Sequence, residues 1–383
     1  MARRLLPGRS RAMRASDTCS AEAAVAGGVA DDTEIALREA GLRHVDDSTP
    51  GITRIRRGSG FSYVDPKGNP VRDAATLARI ATLAIPPAYE AVWICPDPSG
   101  HLQATGRDAR GRKQYVYHPD WGALRDTDKY GRLAEFGTIL PRLRARVERD
   151  LARNGMPREK VAAAVVRLLD ATLVRVGTPR YARQNRTYGL TTLRPRHVTV
   201  RGSRLRFRFT GKSGITHDVS VNDPRVARVV RNCADLPGQC LFKYVDSDGQ
   251  VRDIGSTDVN AYLREVTGGE FTAKDFRTWA GSVHALALLR KVAAETTEQE
   301  AQRRKAVADA IKTVAQRLRN TVAVCRKCYV HPAVIDAFLS GDANADGPVR
   351  ARTRLRADEA RLLRLLEKTG AAWGDISRSE AFR

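Results

Sequence analysis

Tyr329 sits in a strongly basic segment, with Arg326 and Lys327 just before it and Asn320 upstream. A tyrosine beside positive charge can attack a phosphodiester if cations from elsewhere in the chain complete the site. Cleavage without a metal sets three demands. The nucleophile must form a covalent link, the two non-bridging oxygens need cationic donors, and the leaving 5′-oxygen needs a proton. Arginine suits the oxygens, because it keeps its charge and offers a planar donor fork. Lysine suits the acid role, since burial and neighbouring charge can tune its ammonium group downward. An ordinary phenol is only about a thousandth ionised at neutral pH, so its proton must leave during attack or its pKa must fall.

Candidates for these roles stand at special points of the chain. The apolar spacing over residues 160–176 predicts a helix that Arg175 closes, with Gly177 as its C-cap. Lys212 lies at the tip of a hairpin in Phe209-Thr210-Gly211-Lys212-Ser213-Gly214, where glycines let backbone approach a phosphate. This turn lacks the G-x-x-x-x-G-K-[ST] spacing of a nucleotide-binding loop. Arg277 falls in the first turns of a helix opened by Thr272-Ala273-Lys274-Asp275-Phe276, and Asn320 carries an amide that can donate to the same phosphate. Cys325 and Cys328 form a C-x-x-C pair, but a four-ligand zinc site needs a second pair or suitably spaced histidines. The pair is read as small apolar packing beneath the tyrosine, and neither metal nor cofactor is expected.

The excess of 66 Lys+Arg over 43 Asp+Glu gives a formal charge of +23. Such an excess repels itself in the folded state and points to a polyanionic partner, foremost nucleic acid. A membrane partner is disfavoured, because the arginines are spread along the chain and no apolar run approaches the roughly 20 residues that span a bilayer. The six cysteines are scattered at positions 19, 95, 233, 240, 325 and 328, which fits reduced thiols in a cytoplasm.

Four regions are expected in the 383 residues. Residues 1–41 form a basic, disordered extension with a short helix over 33–41. Residues 42–125 form a β-rich domain: strands at 52–55, 91–95, 101–106 and 114–118, a hairpin over 61–71, and a helix over 73–84 stopped by Pro86 and Pro87. Residues 126–340 are mainly helical. They comprise 129–154 broken at Pro141, 160–176, 223–232, 256–266, 273–292 and 298–317, with a β insertion at 197–200, 205–209 and 215–221. Residues 341–383 form a tail with an amphipathic helix over 354–368. The fold class is α+β: a small β-rich N-terminal domain and a mainly α catalytic domain carrying a small antiparallel sheet.

The runs Leu173-Val174-Arg175-Val176-Gly177, Tyr181-Ala182-Arg183-Gln184-Asn185 and Tyr188-Gly189-Leu190-Thr191-Thr192-Leu193 closely resemble type IB DNA topoisomerases of the bacterial and poxvirus kind. So do residues 209–214, Lys274-Asp275-Phe276-Arg277-Thr278-Trp279-Ala280-Gly281 and residues 320–332, all in order. Gly111-Arg112-Lys113-Gln114-Tyr115-Val116-Tyr117 resembles that family's major-groove contact strand. The resemblance covers about residues 46–340 and implies ATP- and metal-independent relaxation of positive and negative supercoils through a 3′-phosphotyrosyl intermediate. Tyr329 would be the nucleophile, Arg175 and Arg277 the phosphate ligands, Lys212 the general acid and Asn320 a donor to a non-bridging oxygen. Arg112, Lys113, Gln114, Tyr115 and Tyr117 would contact DNA from the N-terminal domain, and Tyr181 the phosphate near the cut. The implied assembly is a monomeric clamp around DNA, cytoplasmic and nucleoid-associated.

The alternatives are a tyrosine recombinase or integrase, whose second arginine typically has a His-x-x-Arg setting that is Lys274-Asp275-Phe276-Arg277 here, and a catalytically weakened DNA-binding relative. The chain also departs from the family. Bacterial members typically read Leu-Gly-Asn-Thr-Pro where this chain has Leu318-Arg319-Asn320-Thr321-Val322. Losing the Gly and the Pro is expected to shift Asn320 or loosen the tyrosine segment, at a cost in rate.

Overall fold

A computed structural model of the chain describes residues 37–38, 40–109, 111–122, 130–294, 300–344 and 354–376. Most of the expected N-terminal extension, residues 1–36 and 39, lies outside the described residues, as does most of its short helix. The chain divides into two units, Met1–Thr127 and Asp128–Arg383.

Unit one is built on β1 (Ile52–Arg57), β2 (Gly60–Val64), β3 (Glu90–Ile94), β4 (Leu102–Arg107) and β5 (Lys113–Tyr117), with helix α1 (Ala74–Thr82) between β2 and β3. The five strands form one antiparallel sheet in the order β2-β1-β3-β4-β5. Asp73 caps α1 by accepting from the Thr76 amide at 2.7 Å. Ile80 of α1 then packs with Ile52, Val92, Ile94 and Ala104 in a small core. The hairpin expected over 61–71 is displaced. β2 pairs with β1 through the turn at Gly58, which has φ +56°, while the Asp65–Asn69 turn ends in a lone bridge from Val64 to Pro70. Proline has no amide hydrogen, so a strand cannot be laddered there.

Unit two is helical around a three-stranded sheet. In chain order it holds α2 (Leu133–Leu151), α3 (Arg158–Thr172), α4 (Pro179–Asn185), β6 (Val198–Arg201), β7 (Arg204–Thr210), β8 (Thr216–Asn222), α5 (Pro224–Asp235), β9 (Lys243–Val245) and β10 (Val251–Asp253). It continues with α6 (Ser256–Thr267), α7 (Ala273–Ala294), α8 (Glu300–Leu318), α9 (Val322–Cys328), α10 (Pro332–Leu339) and α11 (Ala357–Ile376). One large apolar core joins them.

Two expectations are corrected in this unit. Helix α2 runs through Pro141 instead of breaking there. A proline inside a helix costs about 3 kcal/mol, but Leu133, Phe136, Leu140, Leu143 and Val147 on both sides of it are buried in one stripe, and that burial outweighs the loss. Helix α3 stops at Thr172, short of Arg175. Leu173 is left-handed at φ +57°, the Thr172 hydroxyl donates to Leu168 O at 2.6 Å, and the chain leaves extended. The residues after it serve another partner: Arg175 O and Val176 O accept from the Leu190 and Thr191 amides at 2.9 and 2.8 Å.

The final helix packs within unit two. Leu362, Leu363 and Leu366 of α11 are buried in the core. Arg144 of α2 joins Glu359 of α11 to Asp170 of α3 through a fork of bonds at 2.8–3.0 Å. Burial alone would raise the Glu359 carboxyl, but the bonds from Arg144 hold it below the usual range.

Candidate active site

Three chain segments meet in unit two, each at the end of a helix. The first carries Arg175, just beyond α3. It is pinned by the Gly189-Leu190-Thr191 stretch, where the Gly189 amide donates to the Thr192 hydroxyl at 2.9 Å and the Thr191 hydroxyl to Val176 O at 3.0 Å. Gly177 (φ +86°) and Gly189 touch backbone to backbone: a Cβ on Gly189 would come within 2.5 Å of Arg175 O. The family-like spacing of these glycines therefore has a packing cause.

The second segment follows α8 and carries Asn320. Asn320 N donates to Ala315 O at 2.9 Å and Arg319 N to Gln316 O at 3.2 Å, the paired bonds of a Schellman ending with Arg319 at the left-handed position, φ +50°. An arginine thus occupies a conformation that glycine adopts without strain, at a cost of roughly 1 kcal/mol. Its side chain compensates, because Nη1 donates to Thr216 O at 2.6 Å and ties this turn to β8. Asn320 packs against Arg175. Its Oδ1 accepts from Arg175 Nη2, and its Nδ2 is buried without a partner among the described residues. Val322 opens α9 and is exposed, behind Thr321 as N-cap.

The third segment carries Tyr329 at the C-terminal end of α9. The ring is buried, at 8% exposure, and its backbone is held on several sides. Tyr329 N donates to Cys325 O at 2.9 Å and His331 N to Ser282 Oγ at 2.9 Å, while the Tyr130 hydroxyl donates to Lys327 O at 2.7 Å. Gly281 of α7 lies against the Tyr329 carbonyl so closely that a Cβ there would approach its oxygen to 2.3 Å. Cys325 and Cys328 are both buried in the core, and burial pushes the Cys325 thiol up to about 11.

Arg277 joins the three. It is only 3% exposed, donates from Nη1 to Leu173 O and from Nη2 to Leu318 O at 2.8 Å, and places its guanidinium carbon 5.0 Å from the centre of the Tyr329 ring. Its Nε is buried without a partner, and no carboxylate pairs with it among the described residues. Two buried donors, Arg277 Nε and Asn320 Nδ2, are therefore left without partners among the described residues. An unmet buried donor costs about 1–3 kcal/mol, which an oxyanion acceptor would offset.

Lys212 is exposed at the tip of the β7–β8 hairpin, in a turn where Ser213 and Gly214 have φ of +64° and +76°. Its hairpin reaches the other candidates through β8, where Thr216 O accepts from Arg319. His217 on β8 is buried, stacks on Phe209 at 4.7 Å and sits against Gly211. Burial, then the charges of Arg319, Arg175 and Arg277, push its imidazole down to about 4, so it is neutral at neutral pH. Sequence reasoning missed His217, Gly281 and Arg319 as positioning residues. His217 left a signal, a polar residue at an inward period-two position of β8. Tyr181 is exposed on α4.

The remaining candidates lie in unit one. Lys113, Tyr115 and Tyr117 follow each other on one face of β5, the two rings stacked at 6.2 Å and Lys113 Nζ 5.5 Å from the Tyr115 centroid. Lys113 is ion-paired to Asp47. Arg112 pairs with Asp108 at 2.6 Å, and Gln114, on the opposite face, donates to Asp108 at 3.1 Å.

Comparison with known proteins finds two matching family models. Residues 118–342 match the eukaryotic DNA topoisomerase I catalytic core, and residues 60–108 match the bacterial DNA topoisomerase IB N-terminal domain. A DNA topoisomerase 1B of Acanthamoeba polyphaga mimivirus is 33% identical over 296 residues, covering 75% of this chain and 87% of the relative. DNA topoisomerase 1B of vaccinia virus is 22% identical over 134 residues, covering 35% of this chain and 42% of the relative, and a monkeypox virus DNA topoisomerase I matches to the same extent.

The contact between Gly281 and the Tyr329 carbonyl predicts that Gly281→Ala displaces the tyrosine while the rest of α7 stays folded. Reaction of the hydroxyl should slow about a hundredfold, the effect of misplacing a reacting group by roughly 1 Å. Circular dichroism should show the helices retained. A single-turnover rate with labelled duplex that equals wild type would remove Gly281 as a positioning contact.

Proposed function

The chain belongs to the type IB DNA topoisomerase family, and on that premise we propose that it relaxes positive and negative supercoils in double-stranded DNA by reversible transesterification at Tyr329. The observation that carries this reading is the pair of buried, unmet donors, Arg277 Nε and Asn320 Nδ2, beside a tyrosine ring and Arg175.

The Tyr329 oxygen attacks the phosphorus, giving its proton up as the new O–P bond forms. The bond to the 5′-oxygen breaks, and Lys212 delivers a proton to that oxygen, leaving a 5′-hydroxyl and a 3′-phosphotyrosyl link. Arg175, Arg277 and Asn320 bind the two non-bridging oxygens, where charge builds in the transition state. The free end rotates, and its hydroxyl attacks the phosphotyrosine to restore the strand. Since the covalent link conserves the phosphodiester bond energy, the cycle consumes no ATP, and the arginines supply the positive charge that a metal would otherwise bring.

Lys212 sits exposed on a hairpin tip, placed to meet DNA as it enters. The Arg319–Thr216 bond couples that hairpin to the Asn320 turn. The β5 face of Lys113, Tyr115 and Tyr117, with Arg112 and Gln114 beside it, contacts DNA from unit one, and Tyr181 contacts the phosphate near the cut. One chain engages one duplex through both units, as a monomeric clamp at the nucleoid. No helix among the described residues is long and apolar enough to cross a membrane.

The direct test compares wild type with Tyr329→Phe on supercoiled plasmid in EDTA without ATP. Wild type should relax both signs of supercoil and the variant neither. Plasmid left supercoiled by both proteins would defeat the assignment, and equal relaxation by both would remove Tyr329 as nucleophile. The acid role is tested by Lys212→Ala on DNA whose scissile 5′-bridging oxygen is replaced by sulfur. A thiolate leaves without protonation, so the variant should be slow on the oxygen substrate and close to wild type on the sulfur one. Equal slowing on both would assign Lys212 to something other than proton delivery.

A further inference from the structure

The outward face of the β6–β7–β8 sheet carries a row of arginines that the reaction does not use. Along β7, Leu205, Phe207 and Phe209 point into the core, while Arg204, Arg206 and Arg208 point to solvent. Arg201 at the end of β6 is directly opposite Arg204, a like-charge cross-strand pair. Such a pair destabilises a sheet unless a counter-charge meets it. The one carboxylate lining this face is Asp218, which is spent on Arg206 through two bonds at 2.8 and 2.6 Å and lies 3.6 Å from Arg208. The side chains of Arg201 and Arg204 make no ion pair or hydrogen bond among the described residues. The four arginines line a shallow hollow of about 560 Å³.

The geometry points to this row as a phosphate track, binding the sugar–phosphate backbone of the same duplex that is cut at Tyr329. Three observations favour that occupant. The face is a net cationic strip whose charge is unmet within its own fold, so its complement is a polyanion. Outward side chains on β7 are spaced about 6.8 Å apart, so the row offers evenly repeated charges to the evenly repeated phosphates of one strand. Finally, β7 runs straight into the turn carrying Lys212, so a backbone lying along the strand is continuous with the one that Lys212 would approach. The inference rests on the proposed DNA substrate and adds to it where the duplex runs beyond the cut.

The test uses the full chain with Tyr329→Phe, so that binding is measured without cleavage. Arg201→Thr, Arg204→Thr and Arg208→Thr are combined, leaving the Arg206–Asp218 pair intact. Affinity for a mixed-sequence duplex is measured across a potassium chloride series at one duplex per protein. Each lost phosphate contact flattens the slope of log K against log salt by about 0.9, so the triple variant should lose between one and three such steps. Its melting temperature should hold or rise, since threonine favours strands and the repulsion is gone. A control removes Arg252, Arg304 and Lys305, each exposed and ion-paired elsewhere on the surface, and should change the slope less. The track is overturned if the slope is unchanged, if the control flattens it as much, or if the effect appears only with a second equivalent of duplex. Any of these, with Tyr329-dependent relaxation intact in wild type, leaves the enzymatic assignment standing.

Discussion

The site depends on how one buried cation is held. The Arg277 guanidinium lies in the core with no carboxylate partner among the described residues, and an isolated buried charge costs several kcal/mol. It is met by the carbonyls of Leu173 and Leu318, the C-cap of α3 and the last residue of α8. Each helix end carries the equivalent of roughly half a negative charge. Two such ends facing one guanidinium approach neutrality without using a carboxylate that would repel a phosphate. The same bonds fix the two chain exits from which Arg175 and Asn320 project, so one residue sets the placement of the others. A third helix end, that of α9, brings Tyr329 over the same cation.

This arrangement explains why the local rules are broken where they are. Leu173 and Arg319 both adopt left-handed backbone, each at the first residue past its helix, where the chain turns beside the Leu173 and Leu318 carbonyls that Arg277 holds. Glycine would do this without strain. At Arg319 the strain is offset by a bond to Thr216, and that bond connects the tyrosine side of the site to the hairpin of Lys212. Asn320, next in the chain, is bonded to Arg175.

Much of the fold was legible because its signals are local. Period-two alternation marked β6, β7 and β8, and the apolar stripes marked α3 and α11. The errors arose where distant contacts outweigh local preference. Apolar spacing through residue 176 extended α3 too far, since it could not show that Arg175 O and Val176 O are claimed by Leu190 and Thr191. Pro141 reads as a breaker, but a continuous buried stripe carries α2 across it. The short pairs β9–β10 and α9–α10 have too few residues to develop a period. In the site, residue types and order were visible. The meeting of Arg277 with two helix ends, and the contact of Gly281 with Tyr329, were not, because both are set by tertiary packing across long sequence separations.

The central claim is that Tyr329, among ten tyrosines in the chain, becomes joined to the 3′-phosphate at the cut. Trapping the reaction with denaturant on duplex DNA, digesting the protein and sequencing the nucleotide-bearing peptide by mass spectrometry tests this directly. The account predicts a phosphodiester on Tyr329 alone, together with a free 5′-hydroxyl end that polynucleotide kinase can label. A nucleotide on any other residue, or a 5′-phosphate at the break, would contradict it.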